Sequence, residues 1–248
     1  PVEGDRVAND ATIAGTVLDG SLDPSVPGLQ ATSDSTQLID TMAARAVLFI
    51  VDTSQSDTAG TSVAPGEIIR YRMVVQIPEG PLNGLQLVPV LQGGADPSQG
   101  LHILNDGTIT AALVSNGGLA SSTLSGGGLA VAGGGYMATD INAIIPTFVL
   151  PSSAIVDPGS GVPLASGMLS SGANAAFRLG NLTNTDGDAN AEFIVVEFNA
   201  VLNNGVGNVA GATYDAYFTY EVGAPTVDMS NVTRVTVVEP VIASVDKH

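Results

Sequence analysis

Residues Asn181 to Asn204 read N-L-T-N-T-D-G-D-A-N-A-E-F-I-V-V-E-F-N-A-V-L-N-N, a polar turn that runs directly into an apolar segment. Alternation with a period of two is typical of a β-strand that buries one face. The stretch therefore predicts a strand over 193–202, and an all-β protein assembled around strands of this kind. The residues predicted on the buried face of this strand are Ile194, Val196, Phe198, Ala200 and Leu202.

The polar half of the stretch carries an oxygen-bearing side chain at every second position: Asn184, Asp186, Asp188, Asn190 and Glu192. Calcium in proteins takes about six to eight oxygen ligands of this type. The spacing is similar to the first half of an EF-hand loop, but the glycine and the final glutamate of that loop are missing. We expect either a calcium site formed by these five residues or a hydrogen-bonded turn before the strand.

Five further segments have strand patterns. Residues 44–53 form a continuous apolar run, which predicts a central strand. Residues 67–78 alternate, as do residues 212–222, and shorter strands are expected within 176–182 and 231–241. In the 67–78 strand, Ile69, Tyr71, Met73, Val75 and Ile77 are predicted on the buried face, with Arg70, Arg72, Val74 and Gln76 on the other.

Three blocks of sequence resemble a known family. The string S-V-A-P-G-E-I-I-R-Y-R-M-V-V-Q-I-P-E-G, Ser62 to Gly80, resembles the opening strand of the DUF11, or conserved-repeat, modules of large bacterial surface proteins. The stretch D-A-N-A-E-F-I-V-V-E-F-N-A-V-L-N-N resembles the penultimate part of that module, and Val235 to Lys247 resembles its last strand. The resemblance implies an immunoglobulin-like antiparallel β-sandwich used as an extracellular stalk, adhesin or fibre unit on the bacterial cell surface. It carries over no catalytic residue.

The chain departs from that module by a long segment at about 93–175. From Gly107 to Thr139 this segment has no charged residue, while glycines recur in clusters. Glycine at this density disfavours a helix, because each interior Gly costs roughly 1 kcal/mol relative to Ala. We therefore predict a Gly-rich insertion, either flexible or packed as small-residue strands and turns covered by another chain. Its scattered Leu, Ile, Val and Met residues favour packing.

Composition limits the partners of this protein. Its 248 residues include 24 Asp and Glu against 7 Lys and Arg, a formal net charge of -17. This sign repels phosphate backbones and anionic lipid surfaces, so we expect no nucleic-acid partner and no membrane insertion. Cysteine is absent and the single lysine is Lys247. Disulfides are therefore excluded, and an internal lysine crosslink is not expected.

The residues needed for the common catalytic sites are scarce. His102 and His248 are the only histidines, and we expect His102 to be a strand or loop residue rather than part of a triad or zinc site. A pair of carboxylates can meet from anywhere in a fold, so a hydrolase is a third alternative. The preferred expectation is a protein without enzymatic activity.

The N-terminal residues 1–43 are predicted to be an extension that caps the sandwich or donates a strand to a neighbouring subunit, and residues 44–248 to be the sandwich domain. An unpaired sheet edge accepts such a strand with full backbone hydrogen bonding. We expect a homo-oligomer or polymer, assembled through strand edges and the uncharged insertion. The alternative is an adhesin module that binds a cell-surface glycan or protein in a calcium-dependent manner.

Overall fold

The computed structural model describes two compact units, residues 1–43 and 44–248. Backbone alone is described for 6–16, 30–40, 128–130 and 226–227. Backbone and side chains are described for 46–56, 58, 60–93, 98–115, 117–124, 144–172, 174–185, 191–223 and 228–239.

The first unit is a β-hairpin. Its strands are β1 (Arg6–Thr16) and β2 (Gln30–Asp40), which pair antiparallel along their whole length, from Arg6 opposite Asp40 to Thr16 opposite Gln30. They form a two-stranded sheet of their own. Each strand has 11 residues.

The second unit contains two sheets of eight strands each. Sheet I contains β3 (Ala46–Thr53), β5 (Ile68–Ile77), β7 (Leu101–Asn105), β8 (Thr110–Ser115), β10 (Gly128–Ala130), β11 (Phe148–Val149), β13 (Gly167–Met168) and β15 (Glu192–Leu202). Sheet II contains β4 (Ser62–Val63), β6 (Gly80–Leu91), β9 (Leu119–Ser121), β12 (Ile155–Val156), β14 (Ala176–Asn184), β16 (Thr213–Val222), β17 (Thr226–Met229) and β18 (Thr233–Val237).

The main path through sheet I runs β10-β8-β15-β5-β3, and that through sheet II runs β12-β14-β6-β16-β18-β4. Pairing is antiparallel except between β10 and β8 and between β18 and β4. Besides strands, the described residues include one short 3-10 turn, Ser152–Ala154. None of the helical structure described is long or apolar enough to span a membrane. These features confirm the predicted all-β sandwich of two sheets.

The core lies between the two sheets. The alternating residues of β15, from Ile194 to Leu202, are all fully buried there, as their spacing predicts. Tyr71 of β5 stacks on Phe198 of β15, with ring centroids 5.5 Å apart, and Phe177 of β14 meets Phe198 edge-on at 5.6 Å. Since Phe177 belongs to sheet II, these aromatic contacts join the inner faces of both sheets.

The outer face of sheet I is also largely buried. Val74, Ala112, Val114 and Val195 are at most 5% exposed, and Ile144 packs with them in a second apolar cluster. The alternation of 67–78 predicts a buried face and a polar face, and the buried face is as expected. The opposite face departs from the simple pattern because another layer of the chain covers it, as the contact of Ile144 demonstrates.

The segment 93–175 supplies strands to both sheets. Strands β7, β8, β10, β11 and β13 belong to sheet I, and β9 and β12 belong to sheet II. Ile109, Leu113, Leu150 and Ile155 from this segment lie in the main core. Its described part is therefore packed into the sandwich, while residues 131–143 lie outside the described residues.

The prediction that 44–53 forms a central strand is wrong. Strand β3 is the last strand on its side of sheet I and pairs with β5 alone among the described strands. Val47 and Val51 are 43% and 42% exposed. Leu48 faces the core, whereas Val47 on the opposite face of the strand is exposed to solvent. Both faces of this edge strand therefore carry apolar residues, as the faces of a central strand would.

Candidate functional site

The two ends of the predicted calcium turn lie side by side. Asn184 is the last residue of β14 and Glu192 is the first of β15, and both are buried, at 1% and 2% exposure. Asn184 Nδ2 donates a hydrogen bond to Glu192 Oε2 at 3.0 Å and lies 3.5 Å from the carbonyl oxygen of Ile77. The other three predicted ligands, Asp186, Asp188 and Asn190, lie outside the described residues.

Asn184 Oδ1 is buried and accepts no hydrogen bond from a described residue. An unsatisfied buried acceptor costs about 1–3 kcal/mol, so a donor or a cation placed at this oxygen would be stabilising. Within the described part of the chain, no group of three or more His, Asp and Glu side chains is placed to hold a metal ion. The structure thus brings together two of the five predicted oxygen donors.

A cluster of charged residues, which the sequence patterns do not predict, lies on the outer face of sheet I. Arg72 is 2% exposed, and its Nε donates to Glu197 Oε1 at 2.7 Å, while Arg70 Nε donates to Glu197 Oε2 at 3.1 Å. The Arg72 guanidinium also lies 5.7 Å from the centre of the Phe49 ring. Both arginines use one carboxylate across the β5–β15 pair, so the cluster fastens two central strands.

The same cluster extends to the turn between β7 and β8. Asn199 Nδ2 donates to Asp106 Oδ2 at 2.9 Å, and Thr108 donates to Asp106 Oδ1 from its backbone nitrogen and its hydroxyl group. Burial alone would raise the pKa of Asp106, but these hydrogen bonds from Thr108 and Asn199 outweigh it and hold the pKa below its ordinary value of 3.8. Asp106 is therefore an ionised structural group at neutral pH.

His102 lies on β7 at 2% exposure. Its Nδ1 is 2.9 Å from the carbonyl oxygen of Leu169, and since a carbonyl only accepts, Nδ1 carries the proton. Asn105 on the same strand donates to the carbonyl oxygens of Leu164 and Ala165, at 3.2 and 2.9 Å. These contacts attach the segment 164–169, which includes β13, to strand β7.

The free edge of β3 is closed by a side chain. Asn231 accepts a hydrogen bond from the Leu48 nitrogen at 2.8 Å and donates to the Leu48 oxygen at 2.9 Å. Thr233 Oγ1 donates to the same oxygen at 2.8 Å. The carboxamide of Asn231 thus occupies the position that a further strand would take, and it links sheet I to the start of β18 in sheet II. Nearby, the Thr53 nitrogen donates to Asp52 Oδ1 at 2.8 Å.

Three exposed apolar side chains lie on the β3 side of sheet I. Val47 and Val51 of β3 and Ile68 of β5 are 43%, 42% and 37% exposed. A surface cleft of about 540 Å³ adjoins Val51, and its remaining lining residues are Ile50, Asp52, Thr53, Ser54, Gln55, Ser56, Thr58 and Gly60. Among the described residues of that lining, Asp52 is the charged one. The register of β3 with β5 places Asp52 opposite Arg70 on this face, between Val47 and Ile68, so charged residues interrupt the exposed apolar ones.

No family model and no curated protein matches this chain. Several solved structures show a remote likeness to this chain, at TM-scores too low to place it in a family. The full-length RrgB pilus protein of Streptococcus pneumoniae is 11% identical at a TM-score of 0.35, and the match covers 89% of this chain and 29% of that one. This chain therefore corresponds in length to less than a third of that pilus protein.

Two other solved structures show a likeness of the same order. The collagen-binding domain of the Erysipelothrix rhusiopathiae surface protein RspB is 12% identical at a TM-score of 0.32, with 97% of this chain and 61% of that chain covered. The N-terminal domain of the Streptococcus gordonii adhesin Sgo0707 is 12% identical at a TM-score of 0.35, with 86% and 36% covered.

The sequence patterns do not predict the charged cluster on sheet I or the contact between Asn231 and Leu48. Arg70, Arg72 and Glu197 alternate on neighbouring predicted strands, but only the pairing of β5 with β15 places them opposite one another, with Glu197 in register with Arg72. Asn231 follows a turn and looks like an ordinary turn residue. Its contact with Leu48 joins positions 183 residues apart, which no local pattern reveals.

Proposed function

We propose that this protein is a non-enzymatic extracellular subunit of a bacterial surface fibre, stalk or adhesin, and that it associates with further copies of itself. One observation carries this proposal: strands β1 and β2 form a two-stranded sheet of their own, in a unit separate from the two sheets of residues 44–248. An isolated hairpin is at best marginally stable in water. Such an element is expected to gain its stability by packing against another surface.

The buried charged groups of the sandwich support a structural role. Arg72 and Glu197 bind each other, and Glu67 is fully buried, with one carboxylate oxygen accepting from the Ala64 nitrogen at 2.7 Å and the other from the Thr58 hydroxyl. A catalytic acid or base has to reach a substrate. These carboxylates instead hold together strands and a loop of their own chain.

Sedimentation velocity on the full chain over a wide range of concentrations tests the proposal. A subunit that self-associates should shift to larger species as the concentration rises. Raising the ionic strength should strengthen this shift, because salt screens the repulsion between copies that each carry a net charge of -17. A single monomeric species at every concentration and salt level would refute self-association.

A second candidate function, calcium-dependent binding of a surface glycan or protein, is favoured by the buried Asn184–Glu192 pair. In this proposal Asn184 Oδ1 and the Glu192 carboxylate are two ligands of a calcium ion, and Asp186, Asp188 and Asn190 supply others. Bound calcium would stabilise the folded chain in proportion to the logarithm of its free concentration. It would also neutralise part of the acidic charge of the turn.

Thermal unfolding in calcium, in magnesium and with a chelator tests this second candidate. We expect calcium to raise the melting temperature of the parent, and the double variant Asp186→Ala, Asp188→Ala to lose that response. Asp228→Ala, which removes a carboxylate elsewhere on the surface, should respond as the parent does. Equal melting temperatures in calcium and in chelator would show that the turn between β14 and β15 does not bind calcium. Binding to a glycan array that disappears on chelation would support the adhesin function itself.

A further inference from the structure

Two segments of the sequence have the Asn-x-Ser/Thr pattern that accepts N-linked glycans: N-L-T at 181–183 and N-V-T at 231–233. The pattern does not rank the two segments, but the structure distinguishes them. Two groups of the pattern have to be available for the modification. They are the side-chain nitrogen of the asparagine, which receives the sugar, and the hydroxyl group two residues later, which completes the acceptor pattern.

Both groups are available in the first segment. Asn181 and Thr183 are exposed residues of β14 on the outer face of sheet II, while Leu182 between them is fully buried in the core. Asn181 Oδ1 accepts a hydrogen bond from the Gly84 nitrogen at 2.9 Å, which orients the carboxamide. Within the described part of the chain, neither Asn181 Nδ2 nor Thr183 Oγ1 has a hydrogen-bond partner.

The surface around Asn181 has room for a bulky group. The pairing of β14 with β6 shifts register at this point, so that Asn181 lies opposite two residues of β6, Asn83 and Gly84. Both of these residues are exposed, as is Ser122, whose hydroxyl oxygen accepts from the Asn181 backbone nitrogen at 2.9 Å. A sugar at Asn181 would therefore extend from an open and uncharged part of sheet II.

The corresponding groups of the second segment are occupied. The Nδ2 atom of Asn231 carries two hydrogens, and it donates to the Leu48 oxygen at 2.9 Å and to Thr233 Oγ1 at 3.4 Å. Thr233 Oγ1 itself donates to the Leu48 oxygen at 2.8 Å. A glycosylated carboxamide keeps a single N–H group, so a sugar at Asn231 would remove a hydrogen bond from the contact that closes the edge of β3.

We propose that Asn181 is a site of N-linked glycosylation and that Asn231 is not modified. The inference rests on the extracellular location in the proposed function, because this pattern is an acceptor in secreted proteins. In the reaction, Asn181 Nδ2 loses one proton and bonds to the anomeric carbon of a sugar that a transferase of the producing cell takes from a lipid-linked oligosaccharide diphosphate. The bond between that carbon and the diphosphate oxygen breaks, and the lipid diphosphate leaves with the electron pair.

Mass spectrometry of the full-length protein, purified from the cells that produce it naturally, tests this assignment. Cleavage before aspartate residues puts Asn181 and Asn231 on separate peptides, since Asp186 and Asp228 lie between them. We expect a sugar mass on the Asn181 peptide and none on the Asn231 peptide. Asn181→Gln and Thr183→Ala should each remove the sugar, whereas Thr183→Ser, which keeps the hydroxyl group, should retain it. Asn231→Gln is the matched control and should carry the same sugar as the parent.

An unmodified Asn181 peptide, or a sugar on Asn231, would overturn the assignment. Fractionation of the same cells separates this inference from the proposed function. Protein that is found outside the cell with an unmodified Asn181 refutes the glycosylation site but leaves the fibre function standing. Protein that is retained inside the cell without a sugar refutes both.

Discussion

Tyr71 lies in the centre of the core with an unsatisfied polar group. Its ring stacks on Phe198, and its hydroxyl is buried without a hydrogen-bond partner among the described residues. Burial raises the pKa of Tyr71 well above its ordinary value, so the hydroxyl stays protonated at any physiological pH. Tyr214 contrasts with it, because its hydroxyl donates to Asn208 Oδ1 at 2.6 Å.

Replacing these two tyrosines should therefore have opposite consequences. Tyr71→Phe removes a buried hydroxyl that makes no hydrogen bond, and we expect the free energy of unfolding to stay equal or rise by about 1 kcal/mol. Tyr214→Phe removes a made hydrogen bond and leaves Asn208 with one donor fewer, so a loss of about 1 kcal/mol is expected. Urea denaturation of both variants measures the difference. A clear loss of stability in Tyr71→Phe would show that its hydroxyl is satisfied in the native protein.

Single-residue patterns predict one face of the central strands well and the other poorly. Ile194 to Leu202 alternate, and all the residues on the expected face are buried. Arg72 and Val74 were predicted on the polar face of their strand and are 2% and 5% exposed. An alternating pattern indicates only that the two faces of a strand differ in polarity. It does not indicate that a further segment of the chain covers the outer face of sheet I, as Ile144 does.

Strand β14 contains a kink that depends on Gly180. The pairing of β14 with β6 shifts register on both sides of this residue, whose φ is +76°. A Cβ at Gly180 would lie 2.5 Å from Thr123 Oγ1 and would also clash with Ser122 Oγ. The position therefore requires glycine for its backbone conformation and for the close approach of the segment 122–123.

Gly180→Ala compared with Gly107→Ala separates these two requirements. Gly107 has a φ of +81° and open space around its Cβ position. Both substitutions should cost roughly 1–2 kcal/mol for the left-handed conformation. Gly180→Ala should cost about 1–3 kcal/mol more, because the clash forces neighbouring atoms to move. If thermal or urea unfolding shows that both variants lose the same free energy of unfolding, residues 122–123 can move away from the added Cβ at no measurable cost.

The Asn231 carboxamide closes the edge of β3 by hydrogen-bonding to the backbone of Leu48. Asn231→Ala should lower the free energy of unfolding by about 1–3 kcal/mol, since two hydrogen bonds to Leu48 are lost. It should also increase non-native association, because the Leu48 backbone becomes available to another strand. Asn181→Ala is the matched control, as Asn181 accepts one backbone hydrogen bond, from Gly84, away from this edge. Unfolding and sedimentation of both variants provide the test, and aggregation of the two to the same extent would contradict the edge-closing role.

The place of a strand within a sheet was harder to predict from the sequence than the presence of the strand. The apolar run at 44–53 is a strand, as predicted. Its sequence is compatible with a central strand or with an edge strand, and only the long-range pairing with β5 decides between the two. The segment 93–175 was predicted as an insertion because the module that the chain resembles does not contain it, and its clustered glycines leave no clear strand pattern. Its short strands β7 to β13 gain stability from partners far away in sequence, and local propensity does not encode these partners.

At the scale of the whole molecule, net charge and architecture act against each other. A charge of -17 keeps copies apart at low ionic strength, whereas an isolated two-stranded sheet gains stability when another surface covers it. Assembly is therefore expected to be controlled by ionic strength and by any cation that binds the acidic turn. For the predicted calcium site, the sequence named five ligands and the described structure places Asn184 and Glu192 together. The role of the turn remains a prediction.

Negative-stain electron microscopy of the purified full chain tests the central claim most directly. Grids would be prepared at low and high protein concentration, in physiological salt, with calcium and with a chelator. Self-association of a fibre subunit predicts filaments whose number grows with concentration. Single monodisperse particles of monomer size under all of these conditions would contradict the claim that this protein is a self-associating fibre subunit.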